Sequence, residues 1–211
     1  MAKVEVHPSC QIPGIAEIFE KYLSETGTFA EVGAFDGMTY GCTWGLANAG
    51  WRGVYVEAHP DFALQCIKNH RANPKIDTYA VACGAFNGET ELTIYGEVST
   101  TVLDRWAREW GMNESTPKII VPQKTLDWIL NDAEIDFLDL LVVDVEGAEI
   151  DVLKGFSVGK HRPKMAIIEL HEKQGTGADQ KGHQTPWVDQ YFKDYTKIYA
   201  DAINTIYVLT K

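Results

Sequence analysis

Thr28-Phe29-Ala30-Glu31-Val32-Gly33-Ala34-Phe35-Asp36-Gly37 is the stretch around which the rest of the chain is organised. An apolar run (Phe29, Ala30, Val32) ends in two glycines, with Glu31 and Asp36 on either side of Gly33. A glycine at a strand end admits positive φ and lets another group approach the backbone closely. The spacing predicts a helix over roughly Thr39 to Ala49. Gly50, Gly53 and a second apolar run, Val54-Tyr55-Val56, follow and stop at Glu57. Strand, glycine turn, helix, strand and acid, in that order, form the first half of a nucleotide-type cofactor site.

The N-terminus of the predicted helix would offer free N–H groups and a partial positive charge, suited to a carboxylate or phosphate. Glu57 lies 20 residues after Gly37, the distance at which an acid ending the second strand meets ribose hydroxyls. A dinucleotide site wants G-x-G-x-x-G, whereas this chain has Glu31-x-Gly33-x-x-x-Gly37. That pattern suits S-adenosylmethionine better than NAD. The competing reading is a tight strand-to-helix turn with no ligand.

The 211 residues allow one domain, 1–211, with a sizeable core. Residues 1–26 read as a lead-in, poorly ordered over 1–12 and helical over Pro13 to Glu25 through Ile15, Ile18, Phe19, Tyr22 and Leu23. The formal net charge of −11 and pI near 4.9 disfavour nucleic-acid partners, which need clustered Lys and Arg. Cysteines 10, 42, 66 and 83 form no C-x-x-C pair and no metal spacing, so they read as reduced thiols of a cytoplasmic protein. No apolar segment approaches the roughly 20 residues of a membrane span.

Farther along, Pro60 to Arg71 predicts a helix buried through Phe62, Leu64 and Ile67, and Asp77 to Cys83 a third strand. Asn87-Gly88 is expected to make a tight hairpin turn from that strand into another over Glu89 to Tyr95. Residues 96–123 look irregular, with Trp106, Trp110 and Met112 as apolar bulk, and 173–190 begins polar and glycine-rich. Both read as insertions that shape a substrate pocket, 173–185 as a lid or a connection. Thr125 caps a helix from Leu126. Leu140 to Val143 is apolar on both faces, like a central parallel strand, and ends at Asp144 before Gly147 and a helix from Ala148. Met165 to Glu172 is another buried strand, which puts Glu169 and His171 on one face. A helix from Thr185-Pro186 then leads to two β-rich runs ending at Leu209, an antiparallel pair.

Alternating strands and helices make a mostly parallel α/β sheet with helices on both faces. Ligands of such sheets sit beyond the carboxyl ends of the strands. That rule gathers the Gly33 loop, Glu57, Asp144, Glu169 and His171 at one rim.

With those residues in hand, the chain resembles the FkbM family of class I S-adenosylmethionine-dependent methyltransferases. The resemblance rests on Glu31-x-Gly33-Ala34-x-Asp36-Gly37, on Gly50 to Glu57, and on Val143-Asp144-Val145-Glu146-Gly147-Ala148-Glu149 with Val152-Leu153-Lys154-Gly155. Ala58 stands where the family usually has proline, Gly41-Cys42-Thr43 replaces Ser-Asn-Thr, and Glu31 replaces aspartate. The resemblance implies a Rossmann-like, seven-stranded fold and O-methylation of a hydroxyl on a sugar, glycan or natural-product-like small molecule. It implies cofactor contacts at Gly33, Ala34 and Gly37, with Glu31 or Asp36 near the ammonium, Glu57 and Ala58 at the ribose, Ala82 and Cys83 beside the adenine, and Asp144 close by.

Hydroxyl methylation needs removal of a proton. By chemistry His171 is the first candidate base and Asp144 the second, with Glu169 beside them. Alternatively Asp144, Glu169 and His171 bind Mg or Mn, since two carboxylates and an imidazole suit those ions. A third option is a structural His171. Glu149 is expected to complement a helix dipole and Glu146 to brace the loop. The remaining histidines (7, 59, 70, 161, 183) are expected at the surface. Two rival functions stand beside this one: a nucleotide-dependent oxidoreductase, and a non-catalytic cofactor-binding or scaffold protein.

Overall fold

Alternation in the strands sorts the core onto two faces. Ala30, Val32, Val54, Val56, Leu141, Val143, Ala166 and Ile168 point one way, and Phe29, Tyr55, Leu140, Val142, Met165 and Ile167 the other. Both sets are buried, as befits a sheet covered by helices on both sides.

The computed structural model describes residues 4–103, 105–170 and 184–210. In chain order these carry α1 (Ile15–Tyr22), β1 (Thr28–Val32), α2 (Trp44–Asn48), β2 (Arg52–Val56), α3 (Pro60–His70) and β3 (Ile76–Tyr79). Next come β4 (Ala82–Cys83), β5 (Gly88–Thr93), α4 (Arg105–Glu109), β6 (Lys118–Lys124) and α5 (Leu126–Asp132). The rest is β7 (Leu140–Val143), α6 (Glu149–Lys154), α7 (Val158–His161), β8 (Met165–Glu169), α8 (Gln184–Tyr191), β9 (Tyr195–Ala200) and β10 (Asn204–Leu209). The main sheet has seven strands in the order β3-β2-β1-β7-β8-β10-β9. All its pairs are parallel except those of β10, which runs antiparallel to β8 and β9. This is the mostly parallel sheet with a terminal hairpin that the sequence implies. The chain order reverses between β1 and β7, and a crevice opens at such a point.

Several local expectations need correction. The helix expected from Thr39 starts only at Trp44. Asp36 holds residues 38 and 39 in a turn, accepting from the Met38 and Thr39 N–H groups at 2.9 and 2.6 Å and from the Thr39 hydroxyl at 2.8 Å. Asp77 to Cys83 is two strands: β3 closes the main sheet, while β4 joins a second sheet ordered β4-β6-β5. The strand after Asn87-Gly88 pairs with β6, not with its predecessor, so residues 118–124 form a strand in a segment that reads as irregular. Pairing over about thirty residues leaves no local signature in the sequence.

Leu64 and Ile67 are about half exposed, and α3 packs instead through Ala63, Cys66 and His70, small or flat side chains that let it lie close to the Gly37 turn. Residues 4–12 are not loose: Val4, Val6 and Cys10 pack against the core and Ile12 is buried in it. His70 and His161 are buried too. The His70 Nε2–H donates to the Gly37 carbonyl at 2.6 Å and its ring stacks on Tyr55; His161 stacks on Phe156 and contacts the Asp136 carbonyl at 3.0 Å. Burial lowers the pKa of both.

Candidate active site

The turn after β1 fits only glycine. Gly33 has φ +83°, and a Cβ there would lie 1.5 Å from the Asp144 carbonyl oxygen. The N–H groups of Gly33 and Ala34 both donate to the Val56 carbonyl, at 2.9 and 3.1 Å, and the Asp144 N–H donates to the Val32 carbonyl at 2.9 Å. These bonds tie the ends of β1, β2 and β7 into one rim. A cavity of about 440 Å³ opens above it.

Glu57 ends β2 in the cavity wall. One carboxylate oxygen accepts the Phe35 N–H at 2.8 Å and the other the His59 N–H at 2.7 Å. Each oxygen keeps a further lone pair for a ligand hydroxyl. Burial pushes the Glu57 pKa up to about 7, against the pull of those N–H groups. Glu31 lies lower, on the Tyr55 side of the sheet. It accepts from the Thr43 hydroxyl and, at 3.2 Å, from the Cys42 N–H. The Thr43 oxygen is in turn 2.9 Å from the Tyr55 hydroxyl. Burial raises Glu31 to about 7 as well.

At the ends of β7 and β8, Glu169 is hydrogen-bonded to Asp144. Burial first, then the Asp144 charge and this bond, push Glu169 up to about 12. Glu169 and Asp144 therefore titrate as a pair that keeps a proton between them. In the next turn Glu149 stands in the first turn of α6, as expected, and also takes the brace expected of Glu146. Glu149 is fully buried and its Oε1 accepts the Val145 and Gly147 N–H groups at 3.3 and 2.8 Å, bracing the loop. Glu146, at φ +56°, lines the cavity.

Of the expected site residues, Glu31, Gly33, Ala34, Glu57, Ala58, Ala82, Cys83, Asp144 and Glu169 all line this one cavity. Asp36 and Gly37 do not. The Asp36 carboxylate is spent on its own turn, and a Cβ at Gly37 would face Cys66 and His70, away from the cavity. His171 and the expected lid over 173–183 lie outside the described residues. Among the described residues no group of three or more His, Cys, Asp or Glu is arranged to hold a metal.

The 96–123 segment, expected to shape a pocket, supplies Glu97 to Thr101 and Trp110 of the cavity lining, while no local signal in the sequence marks Tyr40 and Asn204, which also line it. The 96–101 loop is fastened across the cavity by paired backbone hydrogen bonds between Thr93 and Thr100 (2.9 and 3.1 Å) and by the Thr100 hydroxyl donating to the Glu146 carbonyl at 2.9 Å. Among the described residues five non-glycines have positive φ, and three of them (Phe35, Tyr40, Glu146) line this cavity. Strained backbone of this kind gathers at functional sites.

Solved structures share the fold. A chain of the fibrillarin/NOP5P complex superimposes with TM-score 0.53 at 11% identity, covering 93% of this chain and 80% of that one. An O-methyltransferase from Bacillus cereus, solved in complex with SAH, gives TM-score 0.51 at 13% identity, covering 98% and 85%. No curated protein sequence matches the chain. Residues 31–199, which contain the whole rim from Glu31 to Glu169, match the family model described as the methyltransferase FkbM domain. The chain therefore belongs to the FkbM methyltransferase family.

Proposed function

We propose that the protein binds S-adenosylmethionine at the Gly33–Glu57 rim and methylates a hydroxyl on a sugar or a small natural-product-like acceptor. The residues fit that cofactor. The cavity lies in the 300–1,000 Å³ range of small-molecule sites. Gly33 clears the space where a side chain would intrude, Glu57 faces the cavity as a hydroxyl-binding acid, and Ala82 and Cys83 offer a flat apolar wall for a base. When bound, S-adenosylmethionine supplies an electrophilic methyl group on a sulfonium.

The Asp144–Glu169 pair is the observation that carries the choice of a hydroxyl. A carboxylate whose neighbour already holds a proton can accept one from an acceptor hydroxyl, and the Glu169 O–H steadies Asp144 in place. His171, two residues beyond Glu169, competes for that role on residue type alone. The proton shared by the two carboxyls opposes a cation held between them. A metal role for Asp144, Glu169 and His171 nevertheless predicts tighter cofactor binding with Mg²⁺ in the same titration.

Tyr40 and Trp110, each 47% exposed, stand at the wall of a cavity lined by carboxyl groups. Aromatic faces beside hydrogen-bond acceptors suit a carbohydrate ring. The test is methyl transfer from labelled S-adenosylmethionine to a panel of sugars, phenols and carboxylic acids. Label in an ether that survives mild base supports the reading. Label only in a base-labile ester, or on nitrogen, overturns it. Binding of the cofactor with no transfer to any acceptor would favour a non-catalytic role.

A further inference from the structure

Cys10 and Cys42 are 32 residues apart in the chain, yet their Sγ atoms lie 3.3 Å from each other. Both thiols are free. Cys42 is buried and lines the cavity, and its N–H donates to Glu31. Cys10 is only partly buried and precedes Gln11 and Ile12, which also line the cavity. The two segments are already strapped together. The Tyr40 N–H donates to Ser9 Oγ at 2.7 Å, His7 packs edge-on against Trp44, and Gly45 has no room for a Cβ against the Glu5 carbonyl.

We propose that Cys10 and Cys42 form an oxidative modification site, a reversible disulfide that closes beside the cofactor cavity and weakens cofactor binding. The Sγ atoms need to approach from 3.3 Å to about 2.05 Å, a movement of little more than 1 Å with no refolding. The chemistry divides between them. The hydrogen bond from Cys42 holds the Cys10 pKa below its ordinary value, and the same bond together with burial pushes Cys42 well above its own. Cys10, the more exposed and more thiolate-like of the two, is the first nucleophile.

With a hydroperoxide as oxidant, the Cys10 thiolate attacks the terminal oxygen. The O–O bond breaks, and the leaving alkoxide or hydroxide takes a proton, leaving a sulfenic acid on Cys10. The Cys42 sulfur then attacks Cys10 Sγ and loses its proton, and water departs. The two thiols are oxidised by two electrons and the peroxide is reduced by two. A dithiol reverses the step by exchange. Closing the bond pulls on Cys42 and so disturbs the Gly41–Thr43 segment of the cavity wall, whose Cys42 N–H and Thr43 hydroxyl hold Glu31. This effect on binding rests on the S-adenosylmethionine reading above; the modification site itself does not.

The test uses the full chain, fully reduced and then treated with a slight excess of hydrogen peroxide. Thiols are counted under denaturing conditions, Cys10- and Cys42-containing peptides are mapped, and S-adenosylmethionine affinity is measured by calorimetry. The expected result is a fall from four thiols to two, with a Cys10–Cys42 linked peptide. Affinity should fall about tenfold, the size of one lost hydrogen bond to a charged group, and return with dithiothreitol. Cys10→Ser, a change outside the cavity lining, should bind the cofactor as the reduced parent does and keep that affinity under peroxide. Four thiols remaining, or a different pairing, overturns the proposal. A Cys10–Cys42 disulfide with unchanged affinity overturns the effect on binding. If the reduced chain does not bind S-adenosylmethionine at all, the cofactor reading falls, and the thiol count decides the disulfide alone.

Discussion

The carboxyl of Glu169, at the end of β8, is hydrogen-bonded to the carboxyl of Asp144, just past the end of the neighbouring β7. Two acids share one proton because a pair of ionised carboxyls so close and so buried is too costly. Under the proposed reaction, Glu169 would donate and orient and Asp144 would accept. Asp144→Asn should therefore lower methyl transfer about 10²–10⁴-fold, the usual contribution of a general base, with much less effect on cofactor affinity. Glu169→Gln keeps a donor toward Asp144 and should retain far more activity than Glu169→Ala. A His171→Gln variant losing as much activity as Asp144→Asn would move the base to His171. Single-turnover rates, with cofactor affinity measured beside them, separate these outcomes.

Glu57 braces the Phe35 and His59 N–H groups and faces the cavity. Glu57→Ala should raise the S-adenosylmethionine Kd at least about tenfold, since a charge-assisted hydrogen bond contributes roughly 1.5–3 kcal/mol. Calorimetry checks this directly, and an unchanged Kd would remove Glu57 from the ribose site.

Glu31 and Glu57 both have folded-state pKa values raised to about 7 by burial, and Glu169 is raised further still, so all three act in the same direction. The folded chain thus holds protons that the unfolded chain has already released, and stability falls as pH rises through about 7. His70 and His161, their pKa values lowered by burial, act in the opposite sense only as pH falls through the ordinary histidine range. The comparison therefore belongs between pH 6.5 and 8. The ligand-free protein should melt a few degrees lower at pH 8, as about 1 kcal/mol corresponds to roughly 2–4 °C in a chain of this size. Glu31→Gln, which carries no charge to desolvate, should shrink that difference. Scanning calorimetry at the two pH values decides it, and an identical slope in the variant would clear Glu31 of the effect.

Gly33→Ala forces a Cβ into the Asp144 carbonyl at a positive φ. The turn must move, and with it both the Glu57 brace and the β7 end. The expected result is loss of cofactor binding together with a lower Tm. A variant that melts and binds like the parent would show that the turn can rearrange cheaply.

Much of this protein is legible in its sequence. Fully apolar Leu140 to Val143 reads as a central strand, and Gly33 followed by Glu57 marks the rim, because strand ends, turns and alternation are local properties. Acids at successive strand ends also point Glu57, Asp144 and Glu169 to one rim, since parallel strands deliver their carboxyl ends to one edge. Other features are not local. The β5–β6 pairing, the burial of His70 in place of Ile67, and the approach of Cys10 to Cys42 each depend on segments brought together only when the sheet closes. That Glu149 rather than Glu146 braces the β7 exit depends on the left-handed backbone at Glu146 and on burial, neither of which spacing reports. Periodicity and spacing carry information about a chain's neighbours in sequence. Which carboxyl keeps its proton, and which thiol faces which, depends on burial and distance, and those exist only in the folded molecule.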